Sequence, residues 1–201
     1  AFAAINSDGA VITWGNSSYG GDAAGDLGDS SGGADGIADA LSSNVSSIVS
    51  TGFAFAALKS DGTVVTWGDT ANGANSSGVT LSSVSSIYAT RYAFAALTTT
   101  GSVITWGDSD GGGDSSSVDF DGDGSTSTST GSLTVTSIFA TEAAFAAIRS
   151  DGSVVTWGAT SYGGDSSDST LAGLLDASEV DNTEDIVSIS TTADAFTALR
   201  A

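Results

Sequence analysis

One short phrase occurs five times along this chain, and that repetition restricts the fold more than any other property. Ala-Phe-Ala-Ala-Ile at 1–5 returns as Ala54-Phe55-Ala56-Ala57-Leu58, again at Ala93 to Leu97 and at Ala144 to Ile148. An altered copy, Ala195-Phe196-Thr197-Ala198-Leu199, lies near the last residue. The Phe markers Phe2, Phe55, Phe94, Phe145 and Phe196 are spaced by 53, 39, 51 and 51 residues. A period of this size belongs to architectures in which one supersecondary unit stacks on the next, because a single unit cannot bury its own apolar face.

Each of the first four copies leads through a turn into a Trp-Gly run: Val11-Ile12-Thr13-Trp14-Gly15, then Val64 to Gly68, Val103 to Gly107 and Val154 to Gly158. The turn reads Ser7-Asp8-Gly9, Ser60-Asp61-Gly62 and Ser150-Asp151-Gly152, while the third copy has Thr100 before Gly101. Asp-Gly between β-formers is a hairpin signal, since glycine accepts the positive φ of a tight turn. A further apolar run precedes the later copies, at Val45 to Val49, Val84 to Tyr88, Val135 to Phe139 and Ile186 to Ile189. Each unit is therefore a leading strand, an Ala-Phe strand, a hairpin and a Trp strand. The near-continuous apolar runs imply burial on both faces of each sheet.

These observations predict an all-β fold of tandem antiparallel β-sheets resembling β-propeller blades, with an open linear stack of sheets as the alternative. Residues 1–201 form one repeat domain of four units, at about 1–52, 53–91, 92–142 and 143–201. Differences in unit length fall after Trp-Gly, so insertions gather along one edge, where proteins of this kind place their specificity.

The run Ala57-Leu58-Lys59-Ser60-Asp61-Gly62-Thr63-Val64-Val65-Thr66-Trp67-Gly68, with its preceding Val-x-x-Ile strand, resembles the repeat of the regulator of chromosome condensation family, here in a divergent, acidic, bacterial-like form. The likeness touches all four units and about half of each. It implies blade-like units of the kind that make seven-bladed β-propellers. Three features depart from the family pattern. The family's His before the Ala-Leu strand is Ala or Phe here, and its Gly-Gln-Leu-Gly ending is replaced by Gly20-Gly21-Asp22, Gly112-Gly113-Asp114 and Gly163-Gly164-Asp165. Four units stand in place of seven. The resemblance extends to the fold and not to nucleotide exchange or chromatin.

Composition closes several routes to function. The chain has no His, Cys, Met or Pro, and its 24 acidic residues face only 4 basic ones, for a net charge of -20. Four scattered cations, Lys59, Arg91, Arg149 and Arg200, make no patch for phosphates, so nucleic acid is not an expected partner. Without His or Cys the usual general bases and thiol nucleophiles are missing, and the chain is not expected to be an enzyme. Gly28-Asp29-Ser30-Ser31-Gly32-Gly33 imitates a serine-protease nucleophile loop but has no His partner. A carboxylate pair is compatible with this Asp-rich composition, yet no spacing sets two Asp residues across a cleft. No apolar stretch approaches the roughly 18 residues of a membrane-spanning helix.

Cation binding is the chemistry the residues favour most. Asp119-Phe120-Asp121-Gly122-Asp123-Gly124 follows the first half of a calcium loop, where carboxylates at alternate positions converge on a hard cation and Gly permits the sharp turn. Asp119, Asp121 and Asp123 are thus the candidate metal ligands, and calcium the candidate ion. Thr130 stands where the bidentate Glu belongs, with Asp114 or Glu142 as replacement ligands, and a solvated acidic loop is the alternative. The Gly-Gly-Asp repeats are expected to be turns closed by an Asp side chain, with a cation site as the other reading; the second unit has Gly73-Ala74-Asn75. The four Trp residues are expected in the core rather than in a glycan-stacking ladder. Asn16, Asn44 and Asn75 begin Asn-x-Ser sequons.

The strand types number four leading, five Ala-Phe and four Trp. With Ala1 already inside an apolar run, the sequence reads as a segment of a longer array or a processed polypeptide. Unpaired edges of high β propensity find partners. The expected function is that of a non-enzymatic extracellular or cell-surface protein, building a layer, filament or adhesin by self-association or with another surface protein. The alternative is a propeller module that binds a protein or glycan through its variable loops.

Overall fold

The computed structural model describes residues 1–23, 37–123, 131–165 and 186–201. Within them the strands are β1 (Phe2–Ile5), β2 (Val11–Trp14), β3 (Val45–Ser50), β4 (Ala54–Lys59), β5 (Val64–Gly68), β6 (Val84–Ala89), β7 (Ala93–Thr98), β8 (Val103–Gly107), β9 (Val135–Ala140), β10 (Ala144–Arg149), β11 (Val154–Gly158), β12 (Ile186–Thr191) and β13 (Phe196–Arg200). They form three complete antiparallel sheets, β3–β4–β5, β6–β7–β8 and β9–β10–β11, flanked by the two-stranded sheets β1–β2 and β12–β13. The fold is all-β and built of tandem blade-like sheets. In every complete sheet the Ala-Phe strand is central, the leading strand lies on one side and the Trp strand on the other. Counting by Trp strands gives four units, whereas hydrogen bonding gives five sheets, because the leading strand β12 pairs with the fifth Ala-Phe strand, β13.

The hairpins turn on Gly9, Gly62, Gly101 and Gly152, whose φ values run from +75 to +83°. Each turn also uses one side-chain oxygen. Asp61 Oδ1 accepts the Thr63 amide and hydroxyl, and Asp151 Oδ1 does the same for Ser153. In the third hairpin, which has Thr100 instead of Asp, Thr98 Oγ1 accepts the Ser102 amide. In the first, Asn6 Oδ1 accepts the Ala10 amide. The acceptor moves between two positions while the turn stays the same. Leading strands share a bulge after their first residue, and the hydroxyls of Ser46, Ser85 and Thr136 there donate to the carbonyls of Leu58, Leu97 and Ile148.

Strand alternation gives every sheet two unlike faces. On β4 the residues Ala54, Ala56 and Leu58 line one face, while Phe55 and Ala57 line the other beside Trp67, which is directly opposite Phe55. The small face of one sheet receives the aromatic face of the next. Ala54, Ala56 and Leu58 meet Phe94, Ala96 and Trp106. In turn Ala93, Ala95 and Leu97 meet Phe145, Ala147 and Trp157. Val11 and Ala3 meet Phe55 and Trp67, and Ala146 and Ile148 meet Ile186, Ile189 and Phe196. The Ala side chains let the sheets approach, and the rings occupy the space they leave.

Backbone bonds tie neighbouring sheets at both ends. At the hairpin end the carbonyls of Gly9, Gly62, Gly101 and Gly152 accept from the first amide of the next leading strand, at Val45, Val84, Val135 and Ile186. At the opposite end the amides of Gly52, Arg91 and Glu142 donate to the carbonyls of Arg91, Glu142 and Ala193, each at 2.8 Å.

Among the described residues, the first sheet's aromatic face and the last sheet's small-residue face are exposed. Phe2 and Trp14 stack at 5.4 Å as their inner counterparts do, yet are 64% and 50% exposed, against 0% for Phe94. Position therefore decides what the same residue contributes. Phe94→Ala should lower stability by about 3–5 kcal/mol, the range for a buried ring, whereas Phe2→Ala should change it by well under ~1 kcal/mol. Urea unfolding of the two variants checks this, and equal losses would contradict the packing described.

Candidate functional site

The candidate calcium ligands do come together. One carboxylate oxygen from each of Asp119, Asp121 and Asp123 lies within 4.8 Å of the others. Asp119 and Asp121 also serve the loop itself: Asp119 Oδ1 accepts the Gly122 amide at 2.7 Å, and Asp121 Oδ2 accepts the Gly131 amide at 3.1 Å. Gly122 turns at φ +75° above the Leu133 side chain. Arg149, missed by sequence reasoning, adds a cation to the neighbourhood. Its Nη1 donates to the Asp119 carbonyl at 3.4 Å, while Nε donates to Ser153 at 2.6 Å. Gly124 and Thr130 lie outside the described residues. Glu142, one of the two suggested replacement ligands, is engaged elsewhere, in a 2.8 Å ion pair with Arg91.

Asp114, the other, lines the same cleft as Asp119. That cleft has a volume of about 980 Å³ and is bordered by Asp110, Asp114, Asp119, Arg149, Thr156 and Trp157 among others. It opens beside the loop that follows β8, on the edge where the units differ in length. Among the described residues Thr156 Oγ1 is buried there with no hydrogen-bond partner. Its counterparts Thr66 and Thr105 bond the hydroxyls of Ser76 and Ser115, ten residues on. The matching Ser166 lies outside the described residues.

The Gly-Gly-Asp turns have two roles, of which the sequence disclosed one. In two copies the Asp or Asn side chain caps the turn that follows the glycines: Asn75 Oδ1 accepts the Ser77 amide, and Asp114 Oδ1 accepts the Ser116 amide at 2.9 Å. The Gly carbonyl faces the neighbouring sheet. Gly20, Gly73 and Gly112 accept the indole N–H of Trp67, Trp106 and Trp157 at 3.1, 2.9 and 3.1 Å. These glycines have φ of +85, +110 and +99°, and a Cβ on Gly112 would lie 2.7 Å from the Phe145 ring. A glycine is required both by the backbone and by the ring beside it.

Three of the four Trp residues are thus core residues, and Trp14 is the exposed exception. Of the sequon residues, Asn16 and Asn75 cap their own turns by accepting the amides two residues on. The protease-like segment Gly28 to Gly33 lies outside the described residues. Among those that are described, no helix is long and apolar enough to cross a membrane.

A row of three aromatic rings runs along the end opposite the hairpins. Tyr19 meets Phe53 edge-on at 5.4 Å, Phe53 stacks on Tyr92 at 6.0 Å, and the Arg91 guanidinium lies 5.9 and 5.7 Å from the Phe53 and Tyr92 rings. The Glu142 partner holds the Arg91 guanidinium charged to still higher pH than usual.

No protein-family model matches the chain, and no curated protein matches it. Solved structures do: 24 chains match. One is the crystal structure of human WBSCR16, at 15% identity and a TM-score of 0.51. The alignment covers 99% of this chain and 55% of that one, so the chain spans about half the length of its structural neighbour. At this identity the likeness speaks for the fold.

The turn at Asp114 provides a test. Donation from the Ser116 amide, and then from its hydroxyl, lowers the Asp114 carboxyl below the ordinary aspartate value. A lowered folded value means that the contribution is complete above the unfolded value and is lost as pH falls through the folded one. In an NMR titration Asp114 should ionise below an exposed aspartate, and Ser116→Ala should move its midpoint upward. A midpoint unmoved by that substitution would show the hydroxyl to be irrelevant.

Proposed function

We propose that this chain is a non-enzymatic structural repeat protein of the cell exterior that works by associating with itself, with calcium bound at Asp119, Asp121 and Asp123 as a stabilising ion. The observation that carries this reading is the repetition of one interface along the row of sheets, the small-residue face of one sheet receiving the Phe–Trp face of the next. Faces of the same pattern are buried wherever two sheets meet. A net charge of -20 suits a setting in which salt or divalent cations screen repulsion between copies. The repeat pattern and the blade-like sheets favour kinship with the regulator of chromosome condensation type, at the level of fold.

A second reading has its own support. The cleft beside the acidic loop is large enough for a small ligand or a glycan unit and lies where the units vary. A module that binds a protein or glycan there would need no assembly.

Electron microscopy and sedimentation of the purified chain, with and without calcium, separate the two. Ordered filaments or sheets are expected, growing with protein concentration. Discrete particles at every concentration would move the case to the ligand-binding module. Calcium should raise the melting temperature of the wild type and leave Asp121→Ala unmoved; a wild type indifferent to calcium would remove the ion from this account.

A further inference from the structure

The turn after β5 carries a chemistry that its counterparts lack. Asn72-Gly73 is the one place in the sequence where Asn precedes Gly. In such a pair the glycine has no side chain to keep its nitrogen from the asparagine carboxamide. We propose that Asn72 is a site of spontaneous deamidation, and that the junction between the sheets β3–β4–β5 and β6–β7–β8 gates the reaction. The Gly73 nitrogen forms a bond to Asn72 Cγ, the Cγ–Nδ2 bond breaks, and the departing amine takes the Gly73 amide proton and leaves as ammonia. Water then opens the succinimide ring at either carbonyl, giving aspartate or isoaspartate at that position.

Four hydrogen bonds oppose ring closure in the folded chain. The Asn72 backbone N–H and its Nδ2 both donate to Asp69 Oδ1, at 3.1 and 2.7 Å. The Asn72 carbonyl accepts the Thr51 hydroxyl at 3.2 Å, and the Gly73 carbonyl accepts the Trp106 indole at 2.9 Å. The Asn72 carbonyl and the Gly73 nitrogen belong to one planar peptide, so turning that nitrogen toward Cγ pulls the carbonyl off Thr51. The side chain has to leave Asp69 in the same movement. Gly73 is buried at φ +110°, so close under the next sheet that a Cβ on it would lie 2.5 Å from the Phe94 ring. Closure therefore needs the Phe94–Trp106 face to lift away, and the rate follows the fraction of time that the junction is open.

Either product weakens that same junction. Aspartate sets a second carboxylate against Asp69 where an amide donor stood, so like charges replace a charge-assisted bond. Isoaspartate adds a methylene to the backbone and shifts the Gly73 carbonyl away from the indole. The change is covalent, so every opening that reacts is retained. Gly111 and Tyr162, whose carbonyls accept Thr90 and Thr141 as Asn72 accepts Thr51, have no carboxamide to react.

Peptide mapping of the wild-type chain after incubation at mildly alkaline pH, folded and in urea, tests this. Cleavage after Lys59 and Arg91 releases residues 60–91, which also hold the exposed Asn75 as an internal reference. In denaturing urea Asn72 should convert ahead of Asn75. In the folded chain its conversion should be at least about tenfold slower, and should rise with urea added below the unfolding transition. Trp106→Phe removes the indole donor; with a cooperative urea transition to show that it folds, it should speed folded-state conversion several-fold and leave the rate in denaturing urea unchanged. Asn72→Asp should lower the urea midpoint, and Asn75→Asp should not. An Asn72 that keeps its amide in urea while Asn75 converts overturns the site. Equal rates folded and unfolded, a folded-state rate indifferent to low urea, or a folded Trp106→Phe that converts no faster overturns the gate. An Asn72→Asp midpoint equal to that of the wild type overturns the weakening of the junction.

Discussion

The seating of one Phe–Trp pair on the alanines of the preceding sheet is the interaction on which the rest of this structure depends. Phe55–Trp67, Phe94–Trp106 and Phe145–Trp157 stack with centroids at 5.2, 5.1 and 5.2 Å, each pair occupying the same place in its sheet. Two rings are too large to share an interface with a second aromatic layer, so the opposing face must be small. That is why Ala fills the alternate positions of β4, β7 and β10. The indole N–H is the one polar group this arrangement buries, and leaving it without an acceptor would carry a penalty of about 1–3 kcal/mol. The Gly carbonyl of the preceding unit removes that penalty. A hydrophobic contact and a hydrogen bond between the same two sheets therefore specify one spacing and one lateral offset.

The backbone rails then hold the sheets in orientation. Carbonyls of the hairpin glycines secure one end, and the chain of amides through Gly52, Arg91 and Glu142 secures the other. The side chains at the second end are free to differ. Thr51, Thr90 and Thr141 keep the turn by accepting the amides of Ala54, Ala93 and Ala144, and their hydroxyls reach the carbonyls of Asn72, Gly111 and Tyr162. One hydroxyl thus joins the start of the Ala-Phe strand to the turn following the Trp strand. Arg91 and Glu142, at the variable position between, supply an ion pair that is largely exposed and adds little to stability.

Much of this was legible in the sequence, and the reason lies in spacing. Phe, Asp-Gly and Trp-Gly occur at fixed separations, so strand order and hairpin position followed from local chemistry. The burial of Trp67, Trp106 and Trp157 followed from their place in an apolar strand. What could not be read was any property needing two units at once. Gly73 and Gly112 looked like parts of local turns, and their acceptor role appears only when the next sheet's Trp is set above them. Arg149 gave no sign of approaching Asp119, 30 residues away. Glu142 looked available as a ligand because its partner Arg91 lies 51 residues earlier. The exposure of Trp14 is of the same kind. Its local sequence equals that of the buried Trp106, and only the absence of a covering sheet separates them.

A row of sheets of this kind has energetics that depend on nearest neighbours. An interior sheet gains from two interfaces, and an end sheet from one. Among the described residues the sheets β1–β2 and β12–β13 have two strands each and hold fewer contacts than the three-stranded sheets. Anything that covers an end supplies the missing interface and stabilises the terminal sheet by mass action. The last sheet differs from the inner ones on its small-residue face. Where inner sheets place Val49, Tyr88 and Phe139 on the small-residue face, the last has Ser190, and Thr197 replaces an alanine. The outer face of the last sheet is therefore a more polar version of the internal small-residue face.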